Sequence, residues 1–229
     1  MIAQMLYDEI LEELKSLSDP KAVEGMARFG IKLKNAYGVS IPNLRKIAKR
    51  IGKNHHLAQE LWSSGVHEAK ILASLIDEPK KVTNRQMERW VADFDSWVVC
   101  DQCCSNLLDK TDFAYQKAIE WSERDEEFVK RAGFVLMVTL AAHDKKAEDA
   151  AFLQFLPIIK RESVDQRNFV KKAVNWASRQ IGKRNITLNK KAIEVAKEIE
   201  NIDSKSARWI ASDALRELTS ETVQKRLHR

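Results

Sequence analysis

Five residues of this chain are written nearly twice. Phe128-Val129-Lys130-Arg131-Ala132 returns as Phe169-Val170-Lys171-Lys172-Ala173, 41 residues later. Weaker echoes open with His67-Glu68-Ala69-Lys70 and with Ser204-Lys205-Ser206-Ala207-Arg208, each followed by an apolar stretch. A repeat of this length constrains the fold more than any composition does. One such unit cannot bury its own apolar face, so it must stack on copies of itself.

The copies are helical. Apolar residues recur at helical period near 3–16, 20–28, 42–52, 55–63, 67–77, 84–92, 96–109, 112–121, 126–142, 146–160, 165–182, 188–199, 204–217 and 220–227, and no strand pattern survives beside them. Ser18-Asp19-Pro20 and Ser40-Ile41-Pro42 set a cap residue before a proline, Thr83 to Gln86 and Ser163 to Gln166 match the capping-box spacing, and Gly52, Gly65 and Gly182 mark helix ends. The 41-residue offset falls within the roughly 40 to 47 of HEAT-type repeats. The expected fold class is therefore all-α, a curved solenoid (superhelix) of stacked HEAT-like helical repeats with a long concave surface. No stretch rich in Gly, Pro or Ser interrupts it, so a single domain over 1–229 is expected.

Several function classes fall away. The longest apolar run, Ala132 to Ala142, is well short of the roughly 18 residues a membrane span needs. Residues Met1 to Ser16 carry acids where a signal peptide carries positive charge, and the three cysteines lie between positions 100 and 104, too close for a disulfide framework. A reducing, cytoplasmic setting is expected. The formal net charge of +6 permits a polyanionic partner without requiring one.

Polar groups interrupt the apolar stripes at matching places. On 96–109, Trp97, Asp101, Cys104 and Leu108 share a face, which sets a carboxylate beside a tryptophan. Asp101 is either a satisfied structural carboxylate or one held in a cleft for chemistry. On 126–142, Arg131 shares a face with Phe128, Val135 and Val138; a guanidinium there suits a phosphate or a buried acid. On 165–182, Lys172, Trp176 and Arg179 interleave an aromatic ring between cations, with Lys183 and Arg184 following. Such a face can hold a nucleic-acid backbone, although each base taken alone also fits a solvated side chain and Trp176 fits core packing.

Other chemistry is weaker. Cys100-x-x-Cys103-Cys104 offers half a zinc site with no second pair, so buried thiols are expected and no metal. The histidines are scattered and none is paired in sequence with a cysteine nucleophile. Gly25-x-x-x-x-Gly30 opens like a phosphate loop, but Ile31 stands where the lysine belongs. Phe29, Trp62, Trp90, Trp121 and Trp209 are assigned to core or inter-helix packing.

Taken together, the chain resembles the AlkD-like family of DNA alkylation repair enzymes, HEAT-like repeat DNA glycosylases, over nearly its whole length. The resemblance rests on Met26-Ala27-Arg28-Phe29, on Tyr37-Gly38-Val39-Ser40-Ile41-Pro42 leading to Arg45, and on Ser96-Trp97 with Asp101. Arg131-Ala132 and Lys172-Ala173-Val174-Asn175-Trp176 through Arg179 to Lys183 complete it. It implies that Asp101 is the catalytic carboxylate, that Trp97 and Trp176 pack against the deoxyribose, and that Arg131 engages phosphate. It further implies that Lys171, Lys172, Arg179, Lys183, Arg184 and Arg45 contact DNA. The implied activity is removal of cationic alkylated purines from double-stranded DNA by a monomer without cofactor or metal, and without extruding the base. Val98, Phe29 and Thr139 depart from the family pattern, where an acid, a tyrosine and a base can stand. A non-catalytic module binding distorted or branched DNA is the alternative, and a protein scaffold a third reading.

Overall fold

The computed structural model describes residues 2–28 and 35–228; Phe29, Gly30 and Ile31 lie outside them. Among the described residues the structure is helical, with no strand. The helices are α1 (Ile2–Ser16), α2 (Pro20–Arg28), α3 (Ile41–Ile51), α4 (His55–Ser63), α5 (His67–Ile76), α6 (Asn84–Ala92), α7 (Trp97–Asn106) and α8 (Ala114–Ser122). They continue with α9 (Glu127–His143), α10 (Ala150–Leu153), α11 (Phe155–Glu162), α12 (Asn168–Gly182), α13 (Ile186–Glu200), α14 (Lys205–Leu218) and α15 (Glu221–Leu227), with 3-10 turns at Pro79–Lys81 and Leu108–Lys110. No described helix is long and apolar enough to cross a membrane. Backbone contacts group the chain into two compact units, 1–112 and 113–229.

In the first unit α3, α5 and α7 are successive neighbours and α4 packs on α5. Trp62 stacks on Trp90 with ring centroids 4.0 Å apart, and its indole Nε1 donates to Asp93 Oδ2 at 2.9 Å. Helix α5 is buried almost all round. Its Glu68 carboxylate accepts the backbone N–H of Tyr37 at 2.9 Å and of Gly38 at 2.7 Å, which explains the Tyr37-Gly38 motif. Gly38 has φ +78°, and a Cβ there would stand 2.4 Å from the Asp19 carbonyl oxygen, so only glycine fits.

In the second unit α9, α12 and α14 form one layer, each beside the next, while α8, α11 and α13 form another and pair with them. The echo seen in sequence becomes a contact here, since the rings of Phe128 and Phe169 lie 5.5 Å apart. Polar ties recur at the same stride. Arg131 Nη1 donates to the Phe169 carbonyl at 2.6 Å, Asn175 Nδ2 to Asp213 at 2.7 Å and Ser206 Oγ to the Asp165 carbonyl at 2.7 Å, spanning 38 to 41 residues. Corresponding ties in the first unit span 30 to 32 residues, among them Trp62 to Asp93 and Asn106 to Ser74. The stride is thus shorter in the first unit, so a 41-residue offset does not carry through it.

Helix boundaries follow the sequence reading closely, with three differences. The expected helix 146–160 starts late, because Asp144 takes the backbone N–H groups of Lys146 and Ala147 in a turn, and is two helices, because Pro157 has no N–H to donate to the Leu153 carbonyl. Helix 96–109 stops at Asn106 and continues as a 3-10 turn. The capping box expected at Ser163 is not formed. Its hydroxyl donates back to the Lys160 carbonyl at 2.7 Å, and Asp165 instead receives the Arg167 backbone N–H at 2.9 Å, delaying α12 to Asn168.

Candidate nucleic-acid interface and carboxylate site

Helix α7 begins where Ser96 caps it, the hydroxyl accepting the Val99 N–H at 3.3 Å. Val99, Cys100, Cys103 and Cys104 are sunk in the core, leaving Trp97, Val98 and Asp101 half-buried. Trp97 and Asp101 thus stand one turn apart where α7 emerges from the core. Cys104 and Leu108, placed on the same stripe by spacing, lie in the interior. Burial pushes the thiols of Cys103 and Cys104 well above the usual cysteine range, and the Asp101 carboxylate adds to this at Cys104. They stay protonated near neutral pH, which suits packing rather than nucleophilic chemistry. Among the described residues no three His, Cys, Asp or Glu side chains gather as ion ligands would.

The second unit holds most of the expected DNA-binding cations, and most are already engaged. Arg131 is only 6% exposed and ties α9 to α12 through the Phe169 carbonyl. Arg179, on the half-buried Trp176 face of α12, and Lys183, just past its end, converge on Glu217 of α14; Lys183 Nζ reaches it at 2.5 Å, and Arg179 also lies 3.5 Å from Asp213. Arg184 donates to the carbonyls of Ala141 at 3.0 Å and Ala147 at 2.9 Å and lies over the Phe152 ring at 4.2 Å. Lys171 lies over the Trp209 ring at 5.4 Å. Lys172, and Arg45 on α3 of the first unit, are exposed. Lys183 and Arg184 also line a cleft of about 570 Å³ with Lys145 and Arg226, two cations the motif reading did not reach.

Three further residues are placed differently from expectation or bear on the departures. Trp209, assigned to the core, is 41% exposed, whereas Trp62, Trp90 and Trp121 are buried. Thr139 is buried, its hydroxyl donating to the Leu136 carbonyl at 3.3 Å, so its side chain belongs to the interior of α9. Glu217 carries no motif that marks it among the acids of α14. Its signal was present, since it lies 38 residues beyond Arg179, the stride that joins α12 to α14.

The comparisons with known proteins agree in direction. A family model described as DNA alkylation repair enzyme matches residues 10–218. Uncharacterized proteins of Listeria innocua serovar 6a and Listeria monocytogenes serovar 1/2a are 28% and 26% identical over 200 residues, covering 86% of this chain and 87% of each relative. A solved structure superposes with a TM-score of 0.78 at 21% identity, covering 96% of this chain and 95% of that one. It is described as belonging to a new family related to the HEAT-like repeat DNA glycosylases, with affinity for branched DNA structures. That likeness shows the HEAT-like repeat fold.

Proposed function

Because the chain belongs to the DNA alkylation repair enzyme family, we propose that it is a monofunctional DNA glycosylase that excises cationic alkylated purines, of the 3-methyladenine and 7-methylguanine type, from duplex DNA. The observation that carries this reading is on α7, where Trp97 and Asp101 stand half-buried, one turn apart, on a face other than the one that Val99, Cys100, Cys103 and Cys104 root in the core. The same reading has the protein act as a cytoplasmic monomer without cofactor or metal.

The chemistry asks for little more. A purine alkylated at a ring nitrogen already carries positive charge, so the C1′–N bond breaks with its electron pair passing to a base that leaves neutral. The difficulty is the oxocarbenium-like sugar left behind. The Asp101 carboxylate stabilises that cation and orients a water, whose oxygen bonds to C1′ while its proton passes to Asp101 or to solvent. The indole face of Trp97, one turn from Asp101, turns its negative quadrupole toward the sugar. Lys171, Lys172, Arg179, Lys183, Arg184 and Arg45 hold the backbone, a term that carries no sequence preference and weakens with salt, while Arg131, buried against the Phe169 carbonyl, braces α9 against α12 beneath it.

Release of free base from a methylated duplex, in the presence of a metal chelator, tests the reading. The intact protein is expected to release base and Asp101→Asn to lose at least about a hundredfold in rate. No release by folded protein across several alkyl lesions would sink it. The solved neighbour with affinity for branched DNA favours a second reading, a binding module without chemistry. In that case Asp101→Asn leaves DNA binding, the whole function, nearly intact.

A further inference from the structure

Phe128 and Phe169 lie in the opening turns of α9 and α12, and Trp209 stands in the second turn of α14, 40 residues beyond Phe169. The first two cover one another. Trp209 is on the last of the three helices and remains 41% exposed, more than any other tryptophan described. What meets its ring is a cation, the Lys171 ammonium 5.4 Å from the centroid. Lys205, one turn earlier on the same face of α14, is exposed, as are Lys172 and Arg208, the last reaching Asp203 at 3.0 Å. Lys205 and Arg208 further line a cleft of about 570 Å³ together with Val164, which is itself 46% exposed.

Phosphates alone call for cations; a solvent-facing indole calls for a flat apolar partner. The two requirements meet in an unpaired nucleotide, whose base stacks on the ring while flanking phosphates meet Lys171, Lys172 and Lys205. Base pairs inside a duplex are stacked on both faces and cannot use such a surface; a duplex shows a base face only at its ends. We infer that Trp209, with Lys171, is a stacking platform for unpaired nucleotides of DNA, giving the second unit a preference for DNA that carries them. The inference rests on the reading that this chain binds DNA, and adds a selectivity that the carboxylate site does not supply.

Fluorescence anisotropy with three labelled DNAs of matched length tests it: a blunt duplex, a duplex with a single-stranded thymidine gap, and a three-way junction with unpaired bases at its centre. The proteins are the intact chain, Trp209→Ala, Trp209→Phe and Lys171→Ala, each checked for helicity by circular dichroism. Trp209→Ala is expected to weaken binding to the gapped and junction DNAs by about 5- to 150-fold, with less than about a twofold change on the blunt duplex. Trp209→Phe should restore most of the loss, because stacking needs a ring and not the indole N–H. Equal weakening on all three DNAs, or none on any, overturns the platform while leaving DNA binding standing. Failure of the intact protein to bind any of the three removes the DNA reading and the platform with it.

Discussion

His67 is 3% exposed at the start of α5, and neither ring nitrogen has a hydrogen-bond partner among the described residues. Burial holds its pKa below the ordinary 6.5, reinforced by Lys70 and opposed by the carboxylates of Glu68 and Asp95. The folded chain therefore keeps His67 neutral at a pH where the unfolded chain protonates it. The stability tied to neutral His67 is complete above about pH 6.5 and declines as pH falls from there toward the folded value. Thermal unfolding followed by circular dichroism at pH 7.5 and 5.5 checks this. The intact protein is expected to lose more Tm over that interval than His67→Leu; equal losses would acquit the histidine. None of this was legible in the sequence, where a histidine opening an apolar helix looks the same whether its ring is wet or dry. Asp101 differs, because an acid four residues after a tryptophan on an apolar stripe stands out from the sequence pattern alone.

At the scale of elements, α8 and α9 approach closely where Gly133 meets the backbone of Ser122. A Cβ at Gly133 would lie 2.5 Å from Ser122 N, whereas one at Gly25 in α2 would meet nothing within 4 Å. The same substitution should therefore change sign between the two helices. Gly133→Ala is expected to destabilise by about 1–3 kcal/mol, outweighing its gain in helix propensity. Gly25→Ala is expected to stabilise by up to about 1 kcal/mol, and urea denaturation of both variants reads the difference. Helix positions were recoverable from sequence because apolar period and caps are local; Thr83, for one, accepts the Gln86 N–H at 3.1 Å where its spacing placed it. What was missed at this scale turned on competition for one polar group. Ser163 could have capped α12, but its hydroxyl bonds the preceding turn instead, and sequence spacing does not weigh those two partners.

Over the whole molecule, a net charge of +6 overstates the cations free to meet a polyanion. Burial pushes the Glu217 carboxyl up, but hydrogen bonds from Lys183 and Arg179 overcome it and hold it below the usual range, so two presumptive phosphate contacts are partly neutralised from within. Glu217→Gln is expected to tighten duplex binding and to steepen its dependence on log salt by about 0.9 for each cation released to a phosphate. Titrations between roughly 50 and 200 mM salt measure that slope, and an unchanged slope would remove Arg179 and Lys183 from the DNA contacts. The amino-acid sequence by itself determined that this chain is helical and that its helices stack as repeats, because apolar period and caps are properties of neighbours along the chain. Only the tertiary structure decided that Arg131 is spent on the Phe169 carbonyl, that Glu217 faces Arg179 and Lys183, and that Trp209 stands open beside Lys171. Burial and charge pairing depend on which side chains the stacking of repeats brings within a few ångströms, and separation along the chain does not contain that information.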